Sequence, residues 1–309
     1  MSNVLEIQTK LQENAALIAK LERSLATHQS KAVAASLRSL YKLNHVYEDE
    51  FRVAAAADAV DVVSYRIFDG RERPTMALLG KALDHFQSLY TVLYSAVSSG
   101  RPKDTAHISA EVIQKTSFQF AYTYSGSVGF VFTLPNERLL LGETELDEAM
   151  QDLFQMAKAS GTEAIKSFAL KFGMAPIRAI YKWASALSAS GVGADIEWGK
   201  GEISKNRIIL QPAEIEALKN WIDQTSELEI DENDYVGKLV GFNSKNHSFL
   251  FEPPDSTAIR GTIAENADIQ LPVKVPEFYT ARIRTTSRVR YSTEQQDIYH
   301  ELIALSEGA

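Results

Sequence analysis

The chain has 309 residues, of which 45% are hydrophobic and 23% charged, and its formal net charge at pH 7 is −8. This length exceeds what one hydrophobic core usually fills, so two or three structural units are expected. The chain contains no cysteine, which excludes disulfide scaffolds, thiolate nucleophiles, iron–sulfur clusters and cysteine-ligated zinc. No stretch approaches the roughly 20 apolar residues that cross a bilayer, and residues 1–10 lack a signal-peptide pattern. The sequence therefore predicts a soluble, cytoplasmic protein without a transmembrane segment.

Residues 1–50 form the first predicted segment, a long coiled-coil-like helix. The first glycine is Gly70 and the first proline is Pro74, so no helix breaker interrupts it. Its apolar residues alternate at spacings of three and four, the a/d pattern of a coiled coil over about four heptads. Asn14 falls at a d position, where a buried amide lowers stability but fixes register. The seam comprises Val4, Ile7, Leu11, Asn14, Ile18, Leu21 and Leu25.

Two interpretations of this seam remain open. A narrow a/d stripe predicts self-association, with the chain forming a homo-oligomer through helix–helix contacts. The alternative is an internal bundle, in which the same helix packs against the rest of its own chain.

The central residues, 51–225, are predicted to form an α+β domain, because strand and helix patterns occur in blocks. The β-branched and aromatic run from Val60 to Phe68 predicts a strand, and the segment from Pro74 to Gly100 predicts a helix. Alternating aromatic residues on both sides of 125–127 predict a β-hairpin. Further helices are expected to begin at Thr144, Pro176 and Pro212.

An acidic segment, 226–234, is predicted to be a solvated linker, because it carries five carboxylates and no basic residue. The remaining residues, 235–309, contain about five short candidate strands separated by glycines and a proline pair. This pattern predicts a small β-barrel of the OB or SH3 type. Its last candidate strand, 298–305, is equally compatible with a helix.

No motif identifies an active site, a cofactor or a metal, and none is expected. The six histidines include no pair at the spacing that binds a metal on one helix. The best catalytic candidate is Asp195, Glu197 and Lys200, which resembles the constellation of a metal-dependent nuclease. Two carboxylates at i and i+2 of a strand share a face and can hold a hard cation beside a lysine. The lysine stands one residue later than in such sites, and a charged strand end is the alternative.

A basic ladder is the strongest surface signal. If residues 279–291 form one strand, alternate positions place four guanidinium groups on one face. Positive charges this close repel each other unless negatively charged groups lie beside them. The compensating negative charge has three candidate sources: the acidic segment 226–234, a protein partner, and the phosphates of a nucleic acid. The ladder comprises Arg282, Arg284, Arg288 and Arg290.

Together these features predict a non-enzymatic oligomeric interaction or sensor protein, for example in bacterial phage defence or regulation. It would bind a protein or anionic partner through its C-terminal barrel, aided by the raised effective concentration that an oligomer provides. Two alternatives remain open: a metal-dependent nuclease or phosphodiesterase, and single-stranded nucleic-acid binding by the barrel.

Overall fold

The computed structural model describes residues 2–27, 30–68, 74–105, 107–124, 128–136, 142–200, 204–254, 257–269, 271–292 and 296–307. The chain divides into two compact units, Met1–Ile222 and Asp223–Ala309. The described residues are mixed α+β, with eight helices and ten strands in two sheets. No helix among them is both long enough and apolar enough to cross a membrane.

The first unit combines helices with a five-stranded antiparallel sheet in the order β2-β3-β1-β4-β5. The helices that begin in this unit are α1 (Ser2–Thr27), α2 (Lys31–Ala57), α3 (Met76–Ser99), α4 (Ala110–Thr116), α5 (Glu145–Ala157), α6 (Thr162–Phe172), α7 (Met174–Ser188) and α8 (Pro212–Gln224). The strands are β1 (Val60–Phe68), β2 (Gln119–Tyr124), β3 (Val128–Pro135), β4 (Gly193–Lys200) and β5 (Ser204–Leu210).

Local sequence signals account for several of these elements. The predicted strand is β1 with the same bounds, and β2 pairs with β3 as the predicted hairpin, although its turn at 125–127 lies outside the described residues. Thr75 caps α3 by accepting a hydrogen bond from the Leu78 amide, and Gly100 ends it with φ 59°. Thr144 and Asp147 form a capping box at the start of α5.

The region predicted as one long helix consists of two helices, α1 and α2, which pack against each other. The Ser30 side chain accepts a hydrogen bond from the Val33 amide and so caps the start of α2. Part of the predicted seam is buried inside the unit, where Ile7 and Leu11 pack in the same core as Phe51 of α2. The exposed fractions of Ile7, Leu11, Asn14 and Ile18 are 4%, 1%, 4% and 1%. Val4, Leu21 and Leu25 are partly buried.

Polar groups of α1 are also satisfied within the chain. The Asn14 amide donates to the Leu40 carbonyl at 3.1 Å and to Asn44 Oδ1 at 3.0 Å, both on α2. The amides of Gln8 and Gln12 donate to the Ala121 carbonyl of β2 at 2.6 and 3.2 Å. These contacts are the ones that the internal-bundle alternative requires. Self-association through the α1 seam therefore gains no support from the structure.

The second unit is a five-stranded sheet that closes on itself, hereafter the closed sheet. Its order is β10-β8-β7-β6-β9, and β9 also pairs with β10. The five predicted strands are confirmed, and the ambiguous segment 298–305 is part of a strand. The strands are β6 (Ser226–Asn243), β7 (Ser248–Glu252), β8 (Ile259–Ile269), β9 (Glu277–Arg290) and β10 (Gln296–Glu307).

The prediction of an acidic linker at 226–234 was wrong, because these residues form the first half of β6. They pair with β9 from Ser226 opposite Arg290 to Asp234 opposite Arg282. The carboxylates of Glu232 and Asp234 therefore meet arginines across the ladder instead of depending on solvent. A run of like charge is stable in a strand when the neighbouring strand carries the opposite charge.

Closure of the second sheet depends on Gly261 of β8, where β10 approaches in parallel. A Cβ at this position would lie 2.1 Å from the His300 carbonyl oxygen. Gly261→Ala should therefore lower the free energy of unfolding of the closed sheet by about 2 kcal/mol through overpacking. Gly241→Ala is the control, since its Cβ would meet the Leu250 Cβ at 3.3 Å and should cost less. Urea unfolding followed by far-UV circular dichroism measures both, and equal stabilities would contradict the parallel contact.

Candidate functional site

A cavity of about 430 Å³ lies between the helices α1 and α2 and one face of the five-stranded sheet. This volume is typical of small-molecule sites. Its floor includes a row of directly opposed residues that crosses the sheet from β2 to β5. The row is mostly apolar over β2 and β3 and charged over β4 and β5, so the cavity has one polar end. In strand order the row is Tyr122, Val131, Ser64, Glu197 and Arg207.

Two arginines share one carboxylate at the polar end. Arg66 and Asp195 stand opposite each other on β1 and β4, and Arg66 Nη2 donates to Asp195 Oδ2 at 2.8 Å. Arg207 of β5 donates from Nε and Nη2 to both Asp195 oxygens, at 2.8 and 2.7 Å. Burial raises the pKa of Asp195, but hydrogen bonds and charge from Arg207 and Arg66 outweigh it and hold that pKa below its ordinary value.

A third arginine joins the helix to the sheet. Arg52 Nη2 of α2 lies 3.0 Å from Glu197 Oε1 of β4. One turn before Arg52 on α2, Glu48 accepts a hydrogen bond from the Asn44 amide at 2.7 Å and lies 3.2 Å from His45 Nδ1. The lining thus contains three arginines, three carboxylates and a histidine, and we call it the arginine-lined cavity.

Arg66 differs from a fully satisfied structural arginine. Its Nε is buried and has no hydrogen-bond partner in the described part of the chain. A buried donor left in this state costs about 1–3 kcal/mol. The guanidinium also lies over the Phe68 ring, with Cζ 5.6 Å from the ring centroid, which holds it in place. This nitrogen is closed to a ligand in the cavity, but the Arg66 side chain as a whole is 36% exposed, so its remaining atoms are accessible there.

The predicted nuclease residues are only partly brought together. Asp195 and Glu197 both line the cavity from β4, as their spacing predicted, but arginines already engage both carboxylates. The Lys200 side chain lies outside the described residues. Across the described ranges, no group of three or more histidine, cysteine, aspartate or glutamate side chains is placed to hold a metal ion. The geometry therefore does not support the metal-dependent nuclease.

The basic ladder of β9 is paired within the closed sheet, which is the internal alternative that the sequence left open. Each of its three described arginine side chains contacts at least one carboxylate, and each is at least partly exposed. The Arg288 side chain lies outside the described residues. The closest contacts are Arg282–Asp234 at 2.7 Å, Arg284–Glu232 at 2.8 Å, Arg284–Glu301 at 3.0 Å and Arg290–Asp297 at 3.0 Å.

The three arginines of the cavity were not predicted from the sequence. Arg66 and Arg207 meet because β4 pairs with both of their strands, β1 and β5, and Arg52 of α2 reaches Glu197 of β4 from the helix. One local signal was present, because Arg66 interrupts the otherwise apolar second half of the run from Val60 to Phe68. A charged residue within a buried strand usually has a partner, and here that partner is Asp195.

No protein-family model, curated protein or solved structure matches this chain. The geometry itself defines a mixed α+β protein with an arginine-lined cavity in its first unit and a closed sheet in its second.

Proposed function

We propose that this is a non-enzymatic binding or sensor protein whose first unit binds a small anion in the arginine-lined cavity. The anion would carry a carboxylate or a phosphate, the groups that a guanidinium fork matches in geometry and charge. The observation that carries the proposal is the pair of arginines at the polar end of the cavity, where Arg66 and Arg207 share the carboxylate of Asp195 and keep 36% and 50% of their side chains exposed. The three arginines and three carboxylates of the lining balance as a whole, but at the polar end Arg66 and Arg207 face only Asp195, and this local excess of positive charge favours an added anion.

A binding role is favoured over a catalytic one by the state of Asp195. A general base works best when its pKa lies near the working pH. The pKa of Asp195 lies below its ordinary value, and both of its oxygens accept hydrogen bonds from arginine. Such a carboxylate positions guanidinium groups and does not exchange protons at neutral pH.

Replacement of Arg66 tests this proposal. Arg66→Gln removes one guanidinium group of the pair but leaves the two hydrogen bonds from Arg207 to Asp195, so the cavity should persist. We expect at least one of three probes, inorganic phosphate, pyrophosphate or citrate, to raise the Tm of the wild-type protein through binding to the native state. That increase should be lost in Arg66→Gln. Thermal unfolding at constant ionic strength measures it.

The matched control is Arg282→Gln, which removes an arginine bound to one aspartate on the closed sheet. Phosphate and citrate also stabilise proteins by exclusion from their surfaces, an effect that both variants should share. Only the difference between the variants reports on the cavity. The proposal is contradicted when no probe raises the wild-type Tm, or when Arg66→Gln responds as Arg282→Gln does.

A second proposed function is protein binding by the closed sheet, as a module of the OB or SH3 type. Its support is an exposed apolar patch on β6 and β9, where Phe278 lies opposite Lys238 and near Val236 and Val240. The exposed fractions of Phe278, Val236 and Val240 are 57%, 54% and 36%. Clustered apolar exposure is typical of protein contacts. The paired arginines beside the patch favour a protein over a nucleic acid, because carboxylates already compensate their charge.

A further inference from the structure

The outer side of α2 carries a second heptad pattern, separate from the seam of α1. Its a and d positions are exposed, while the opposite side of the helix contributes buried Phe51 and Ala55 to the core of the unit. Among them, Leu43, Val46 and Val53 are 39%, 50% and 49% exposed. We call these positions the outer stripe: Ser36, Ser39, Leu43, Val46, Glu50 and Val53.

The charges of α2 make the outer stripe complementary to itself in one orientation. Lys31, Arg38 and Lys42 fall in the first half of the helix and all three acidic residues in the second, where Arg52 is the one basic residue and is paired with Glu197. Lys42 and Asp49 occupy successive g positions beside the stripe, and both are exposed. In an antiparallel helix pair the g positions of the two helices face each other, so Lys42 meets the partner's Asp49 twice. Such charged pairs flanking the seam set the partner and the orientation.

The stripe also disfavours the parallel orientation. Parallel helices would place Glu50 against the partner's Glu50 within the seam of the contact. An antiparallel pair centred between Leu43 and Val46 instead places Glu50 against the partner's Ser39, an uncharged residue whose hydroxyl donates to the Ala35 carbonyl of its own helix, so the like-charge contact is avoided. It also packs Leu43 against the partner's Val46 in two central layers. The small side chains of Ser36 and Ser39 allow the helices to approach closely.

We propose that the outer stripe is the contact between two copies of this chain, which form a two-fold symmetric dimer through antiparallel α2 helices. The same surface then serves both copies, as an isologous contact requires. From Ser36 to Val53 the stripe is about 27 Å long at the 1.5 Å rise of a helix. Self-association thus belongs to α2, and the seam of α1 is the internal contact. This inference does not rest on the proposed anion site.

Charge exchange tests the dimer and its orientation together. Lys42→Asp places two acidic pairs in the contact, and Asp49→Lys places two basic pairs there. Each variant alone should sediment as a monomer, whereas the wild type should sediment at twice the 34.3 kDa of one chain. A mixture of the two variants should form a heterodimer, because one chain is then acidic at both positions and the other basic at both. Sedimentation velocity measures each case.

Leu170→Glu is the control, because Leu170 is a leucine on α6 that is 78% exposed and lies outside the stripe. This variant should dimerise as the wild type does. Far-UV circular dichroism checks that all variants remain folded, which is expected since every substituted residue is exposed. A monomeric wild type, a dimer that survives either charge change, or a mixture that stays monomeric would overturn the proposal.

Discussion

Replacing Asp195 by asparagine should lower the free energy of unfolding of the first unit by about 2 kcal/mol, because a buried carboxylate loses its hydrogen bonds from two charged, partly exposed arginines. Asp195 is 7% exposed and accepts hydrogen bonds from both Arg66 and Arg207. The amide would turn hydrogens towards a guanidinium, and the two arginines would repel each other without the shared charge. Urea unfolding followed by tryptophan fluorescence measures the change, since all three tryptophans belong to this unit.

Glu163→Gln provides the control within the same unit. Glu163 contacts Lys166 at 2.8 Å on the surface of α6, with the Glu163 side chain 84% exposed. Exposed ion pairs contribute little because water and salt screen them. The substitution should therefore have a much smaller effect. Equal losses of unfolding free energy in Asp195→Asn and Glu163→Gln would mean that the hydrogen bonds of Asp195 do not stabilise the first unit more than an exposed ion pair does.

The effect of Asp195→Asn should also depend on pH. The pKa of Asp195 is lowered in the folded protein, so its contribution to stability is full above the ordinary carboxyl pKa. That contribution is lost as the pH falls below about 4, the ordinary value, towards the depressed folded-state pKa. The stability difference between wild type and Asp195→Asn should therefore be largest at neutral pH and shrink in acid. A difference that grows in acid would contradict the direction of the shift.

The second large effect is expected for Asn136→Ala, which breaks a buried network. The Asn136 amide donates to Asp61 Oδ2 at 2.8 Å and to Asp147 Oδ1 at 3.0 Å. Its Oδ1 accepts a hydrogen bond from Thr144 Oγ1 at 2.9 Å. Alanine would remove the donor between two fully buried carboxylates, at a cost of about 3 kcal/mol. Urea unfolding by tryptophan fluorescence measures this loss as well.

This network connects distant parts of the first unit. Asp61 belongs to β1 and also accepts a hydrogen bond from Trp198 Nε1 of β4 at 3.2 Å. Asp147 is the capping-box residue of α5. The control is Asn220→Ala on the exposed side of α8, where the lost hydrogen bond to the exposed Glu216 is offset by the higher helix propensity of alanine, so stability should change little. Similar losses for Asn136→Ala and Asn220→Ala would mean that the network does not stabilise the unit.

Most individual elements were predictable because their signals are local. The apolar run of β1, the alternation of β2 and β3, and the caps of α3 and α5 lie within short stretches of the chain. The predictions were wrong where the environment of a segment is set by residues far away in the sequence. The acidic run at 226–234 looks solvated by itself, yet β9 brings arginines opposite it from more than 45 residues away.

Periodicity likewise identifies an apolar helix face but not what covers it. The α1 seam has a coiled-coil spacing, and the structure covers Leu11 and Ile18 within the same unit. The break between α1 and α2 has no glycine or proline, and the Ser30 cap was the main local sign of it. At the cavity, the spacing of Asp195 and Glu197 indicated a shared face. The order of the strands is needed to see that Arg66 and Arg207 pair with Asp195 on that face.

The central claim is that the arginine-lined cavity binds a small anion, and isothermal titration calorimetry tests it most directly. The titrant is whichever of phosphate, pyrophosphate and citrate raises the wild-type Tm most. We expect saturable binding with one site per chain, weakened by added salt. Arg66→Gln should lose about tenfold or more in affinity, since a hydrogen bond to a charged group contributes about 1.5–3 kcal/mol. Absence of saturable binding, or equal affinity in Arg66→Gln, would contradict the account.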